Sequence, residues 1–148
     1  MDPIRFTVYG EARPAGSKRA FVNPRTGKAI VTDASGKKGK TWRTDVREAA
    51  GAAYSGPLLH EPLRVTFTFY RRRPRSHYGT GRNADVLKPS APSYPTTRPD
   101  LLKLSRAVED ALTGLIWHDD SLIAHELLRG RYADDGRPRV EIEVEPLR

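Results

Sequence analysis

The sequence predicts an α+β fold in which two helices pack on a mixed β-sheet. Three observations carry this reading. Runs of alternating apolar and polar residues near both ends and in the middle of the chain have the period of half-buried strands. Two other stretches repeat apolar residues at helical spacing. The order strand, hairpin, helix, strand, helix, strand, strand lacks the regular alternation of a doubly wound fold. At 148 residues the chain suits one core, so residues 1–148 are read as a single domain.

The elements follow in order. Ile4-Arg5-Phe6-Thr7-Val8-Tyr9 alternates and meets Gly10, as a strand ending in a turn does. From Glu11 to Lys40, Gly, Pro, Lys and Arg dominate around the β-branched run Ile30-Val31-Thr32, preceded by the turn-like Arg25-Thr26-Gly27, which predicts a basic loop and hairpin. Trp42, Val46, Ala49, Ala50 and Ala53 predict a helix between Lys40 and Tyr54, stopped by Gly56-Pro57. Leu63 to Tyr70 alternates cleanly, with Leu63, Val65, Phe67 and Phe69 on one face. A long Arg-, Gly- and Pro-rich loop then runs to Pro99. Between Asp100 and Leu115 the residues Leu101, Leu104, Val108, Ala111, Leu112 and Leu115 form one helical stripe. Ser121–Tyr132 is compatible with a strand, Asp135-Gly136 marks a turn and Val140–Val144 alternates strictly, so a C-terminal hairpin is expected.

Charge narrows the function classes. Lys and Arg number 26 against 18 Asp and Glu, a formal net charge of +8, which favours an anionic partner, nucleic acid before a membrane surface. No window approaches the roughly 20 apolar residues of a spanning helix, and Met1–Arg5 lacks the character of a secretory signal, so a cytoplasmic protein without a membrane partner is expected. The absence of cysteine excludes disulfides and thiolate-bound zinc. A metal would have to be held by carboxylates, His or backbone oxygens, and carboxylates with water suit Mg2+ or Mn2+.

Asp100 begins the second helix, Asp119-Asp120 follow it after a short connection, and Arg106 lies on its polar face with Lys103, Glu109 and Asp110. Converging at one edge, such carboxylates and a cation would provide what phosphodiester hydrolysis needs: metal ligands and charge to neutralise the phosphoryl oxygens. Structural roles stand beside this. Asp100 also fits a helix N-cap or the last residue of a capping box Thr97-Arg98-Pro99-Asp100. Arg106 and Asp110 fit a surface ion pair, and Asp119-Asp120 a solvated turn. The run Arg71, Arg72, Arg73 and Arg75, with His77 and Tyr78 beside it and Lys37 and Lys38 elsewhere, combines phosphate-binding with stacking groups and is read as a DNA-contacting surface.

Arg98-Pro99-Asp100-Leu101, Arg106 to Gly114, Trp117-His118-Asp119-Asp120-Ser121 and the ending Arg137 to Ile142 together resemble the RusA family of Holliday junction resolvases. The segments Gly10 to Arg19, which adds Lys18 and Arg19 to the candidate DNA contacts, and Arg75 to Tyr78 are similar to its phage and actinobacterial branch. The resemblance implies a homodimeric α+β endonuclease that binds four-way junctions and cuts paired strands using Mg2+ or Mn2+, in a bacterial or phage-infected cell. It implies Asp100 and Asp120 as catalytic metal ligands, with Asp119 supporting and Arg106 stabilising phosphate. Leu102 stands where the family pattern has a second acid, and Arg106 where many members have a lysine. Asp85, Glu109 or Asp119 would be the substitutes for that missing carboxylate.

Overall fold

A computed structural model describes residues 1–147 apart from 17, 34 and 35, and only the backbone of 18–21 and 30–33. Strand β1 (Ile4–Tyr9) leads into the hairpin of β2 (Lys18–Val22) and β3 (Ala29–Asp33). Helix α1 (Gly36–Ala53), strand β4 (Leu63–Arg71), helix α2 (Leu101–Leu112), strand β5 (Ile123–Tyr132) and strand β6 (Arg139–Pro146) follow. The main sheet has the order β1-β6-β4-β5, mixed because β4 and β5 run parallel and the other pairs antiparallel. The α+β class holds.

One face of this sheet carries the core. Val65, Phe67 and Phe69 of β4 and Val140, Ile142 and Val144 of β6 pack with Ile4 and Val8 against Trp42, Val46 and Ala50 of α1 and Leu104, Val108, Ala111 and Leu112 of α2. The opposite face is polar, with cross-strand pairs Arg5–Glu143 and Arg64–Glu145, each at 2.8 Å. Alternation in β1, β4 and β6 thus becomes an apolar inner face and a charged outer one.

The expected C-terminal hairpin does not form, because β4 lies between β5 and β6. The burial of each strand explains the order. Val140, Ile142 and Val144 are at most 3% exposed, and burying such side chains stabilises by about 1.5–3 kcal/mol each, so β6 belongs in the sheet interior. The mixed sequence of β5, with Ala124, His125, Glu126, Leu127 and Arg129 exposed, fits an edge. Helix α2 supplies the crossover that a parallel β4–β5 pair requires.

Both helices differ from expectation at one end. Helix α1 starts at Gly36, four residues before Lys40, in a polar Lys-rich turn without apolar periodicity. Helix α2 stops at Leu112 because Thr113 takes an extended conformation and Gly114 has φ +83°. The segment from Arg72 to Pro99 is a loop with two short 3-10 turns, Arg75–His77 and Gly81–Asn83.

Candidate active site

Asp100 caps α2: its backbone is extended and its side chain accepts from the Lys103 N–H at 3.3 Å, as the capping reading expects. At the other end, Arg47 Nη1 of α1 donates to the Ala111 carbonyl at 3.0 Å, satisfying an acceptor that the helix leaves open. The Thr113 hydroxyl donates to the Glu109 carbonyl at 2.8 Å and accepts from Trp117 Nε1 at 3.0 Å. The Gly114 N–H closes the turn on the Trp117 carbonyl at 2.8 Å. This tight reversal, sealed by the buried Ile116 and Trp117, delivers Asp119 and Asp120 to the C-terminal end of α2.

Strand β5 then runs back along α2. The Ser105 hydroxyl donates to Glu126 Oε1 at 2.6 Å, and the Gly130 backbone lies against Leu101 and Pro95. A Cβ at Gly130 would sit 3.4 Å from Pro95 and 3.5 Å from Leu101, ordinary van der Waals contact, so the approach itself does not require glycine.

Asp119 and Asp120 are exposed and differ in state. The Asp119 carboxylate accepts from the Ser121 N–H at 2.9 Å, which holds it below the usual carboxylate range. Asp120 is pushed up, first by sharing a hydrogen bond with Asp119, then by desolvation and by the negative charges of Asp119 and Asp110. Beside them, His118 stacks on His60 with ring centroids 5.0 Å apart. Glu109, half-buried between α2 and β5, is pushed up to about 8 by burial and by a hydrogen bond to Glu126, with Asp120 and Asp110 adding to the effect. Glu109 therefore keeps its proton near neutral pH and can donate it to Glu126.

These acids gather at one end of α2, and Asp100 is not among them. Ten residues, about 15 Å of helix rise, separate Asp100 from Asp110, which acts on Asp120. The expected convergence of Asp100 with Asp119-Asp120 at one edge thus does not occur within a single chain. No group of three or more His, Asp or Glu side chains that could hold a metal ion is present among the described residues. Arg106 is exposed and, among the described residues, forms no ion pair with Asp110. Leu102, one turn before it, is 68% exposed.

A family model for endodeoxyribonuclease RusA matches residues 11–145, nearly the whole chain. The chain belongs to the RusA family. It is also 30% identical over 144 residues to an uncharacterised protein of Bacillus subtilis (strain 168), YqaN, covering 97% of this chain and 96% of that one.

The basic residues of this RusA-family chain fall into two groups. Arg73 is only 6% exposed in its side chain, binds Asp134 through Nε at 2.8 Å and Nη2 at 3.0 Å, donates to the Pro92 carbonyl at 2.7 Å and lies 4.1 Å over the Tyr132 ring. Arg71 donates to the carbonyls of Thr97 at 3.0 Å and Arg98 at 3.1 Å, and Arg75 to Ala84 at 3.2 Å. His77 stacks edge-on against Tyr132 and contacts Arg73. These four side chains hold the long loop, a local role that a run of arginines does not reveal. Arg72, 71% exposed, points to solvent and pairs with Glu11 at 2.8 Å. Lys37 and Lys38 are exposed in the first turn of α1. The side chains of Lys18 and Arg19 lie outside the described residues.

Glu126 escaped the sequence reading. Its signal is parity: it occupies the β5 position paired with the inward-facing Val65, an acid on the core-side register of a strand.

Proposed function

We propose that this chain is a structure-selective endodeoxyribonuclease that binds and resolves four-way DNA junctions by metal-dependent phosphodiester hydrolysis, in the cytoplasm of a bacterial or phage-infected cell. Membership of the RusA family over residues 11–145 carries this reading. Asp100 and Asp120 are the proposed metal ligands, Asp119 supports Asp120, and Arg106 stabilises the phosphoryl charge. Oxygen donors of this kind suit Mg2+ or Mn2+. Bound there, such an ion would supply Lewis-acid stabilisation of the phosphate.

A single chain does not bring these donors together, and two chains would. Strand β5 is a sheet edge beside α2, and α2 exposes Leu102 at 68%. A two-fold axis that opposes these faces with antiparallel α2 helices would set Asp100 of each chain beside Asp120 of the partner subunit. Homodimerisation and metal binding are then one event.

The test is a mixing experiment on a synthetic four-way junction with Mg2+ or Mn2+. Asp100→Asn and Asp120→Asn should each be inactive alone. Mixed, they should recover strand nicking, because one of the two shared sites in a heterodimer is intact. Inactivity of the mixture would refute the shared site, and an Asp120→Asn protein that cuts like wild type would falsify the nuclease assignment.

The exposed Leu102 favours a second reading, a junction-binding protein with weakened or lost cleavage. Cleavage gained only by Leu102→Asp would support it. Robust cutting by the wild type would exclude it.

A further inference from the structure

A groove crosses the surface between the β1–β2 connection and the start of the long loop. One part, of about 520 Å³, is bounded by Glu11, Arg13, Arg72 and, at its far wall, Pro99, the residue before Asp100. It continues past Glu11 and Arg13 into a second part, of about 340 Å³, along Lys37, Lys38 and Trp42. Apart from Glu11 and Asp45, the charged side chains that line it are cationic. Trp42 adds a buried indole N–H that has no acceptor among the described residues.

The centre of this groove is a three-residue contact. Arg72 Nε donates to Glu11 Oε1 at 2.8 Å, and Arg13 Nη2 donates to Glu11 Oε2 at 3.3 Å. Two guanidiniums from different segments thus grip the two oxygens of one carboxylate. A phosphodiester offers the same pattern through its two non-bridging oxygens, and Arg is the side chain suited to it. The contact is open to water, with side-chain exposures of 71% for Arg72, 36% for Arg13 and 44% for Glu11. Ion pairs this exposed are weak, so another anion displaces the carboxylate at little cost. Arg71, in the same wall, is committed to the Thr97 and Arg98 carbonyls and keeps the wall in place.

We infer that Arg13 and Arg72 form a binding site for a DNA backbone phosphate, and that Glu11 occupies it in the free protein as a carboxylate stand-in. The groove would then guide a strand from Lys37 and Lys38 past this site to Asp100. Glu11 lowers non-specific affinity, because any duplex must first displace it, and a strand held at several points along the groove does so more readily. The inference rests on the DNA-binding reading above and names the contact that reading lacks.

The experiment measures binding to a four-way junction and to linear duplex across a salt series, without divalent metal. Glu11→Gln should tighten binding about three- to tenfold at low salt by removing the competing charge. Arg13→Ala with Arg72→Ala should weaken binding about tenfold and lower the slope of log K against log salt by about 1. Thermal melting of each variant checks the fold, and each single arginine variant serves where the double variant melts early. A wild type that binds the junction, combined with an unchanged or weaker Glu11→Gln and an unchanged slope, overturns the phosphate site alone. A wild type that binds no DNA overturns both this site and the reading it rests on.

Discussion

Arg73 separates a structural role from a DNA-binding one, and Arg73→Ala tests the difference. Its guanidinium makes two hydrogen bonds to Asp134, one to the Pro92 carbonyl and a face-on contact with Tyr132. Asp134 is 48% exposed, so the ion pair is discounted towards the surface value of about 1 kcal/mol. The Pro92 bond contributes about 1 kcal/mol and the Tyr132 contact about another 1 kcal/mol. The total, about 3 kcal/mol, corresponds to a fall in Tm of roughly 6–12 °C for a domain of this size. Arg73→Lys keeps the charge but loses the planar fork, so more than half of that loss is expected to remain. Urea and thermal denaturation read the stability, and a salt titration of DNA binding reads the phosphate contacts. A Tm within about 2 °C of wild type, with a salt slope reduced by about 1, would refute the structural assignment and return Arg73 to the DNA surface.

Two further substitutions probe the acids. Burial and Glu126 raise Glu109 from an ordinary 4.5 to about 8, so between these values the folded state binds more protons than the unfolded one. Its contribution to stability is therefore full below about pH 4.5 and lost as pH rises to about 8; Glu109→Gln, which still donates to Glu126, should flatten the fall in Tm seen between about pH 4.5 and about pH 8, and an unaltered pH profile would count against a proton held on Glu109. For Asp100, Asn retains the cap and Ala does not: Asp100→Ala should cost about 1 kcal/mol, Asp100→Asn well under half of that, and both should abolish cleavage. Equal destabilisation by the two would dismiss the cap as a contributor.

What could be read from the sequence follows from which interactions leave a periodic trace. Strands β1, β4 and β6 show because their side chains alternate between the core and the charged outer face. The α2 stripe shows because Leu104, Val108, Ala111 and Leu112 face that same core. The pairing of strands leaves a fainter trace. The expected hairpin assumed that neighbours in sequence are neighbours in the sheet, whereas the deeper burial of Val140, Ile142 and Val144 put β6 between β1 and β4. Side-chain partners leave none. Arg71, Arg72 and Arg73 are equivalent as letters, yet their neighbours on a twisted strand end are backbone carbonyls, Glu11 and Asp134 in turn.

The arrangement of the acids has a geometric cause of the same kind. Projecting a helix at 100° per residue keeps the face of each side chain and discards its height. The expected convergence joined acids from the two ends of the helix with Arg106 on its polar face, although α2 rises about 1.5 Å per residue and its 12 residues span about 18 Å. A distance of that size is too great for two carboxylates to share an ion, and no rotamer change closes it. It is also the distance that an antiparallel partner helix reverses, since the N-terminus of one then meets the C-terminus of the other. Under the proposed pairing, the length of α2 sets the spacing between two equivalent sites related by the dimer axis. A four-way junction is itself close to two-fold symmetric and must be cut in two strands. A pair of sites fixed by one helix length and one axis would therefore address both cuts with a single geometry, whereas two self-contained sites would need a separate device to coordinate them.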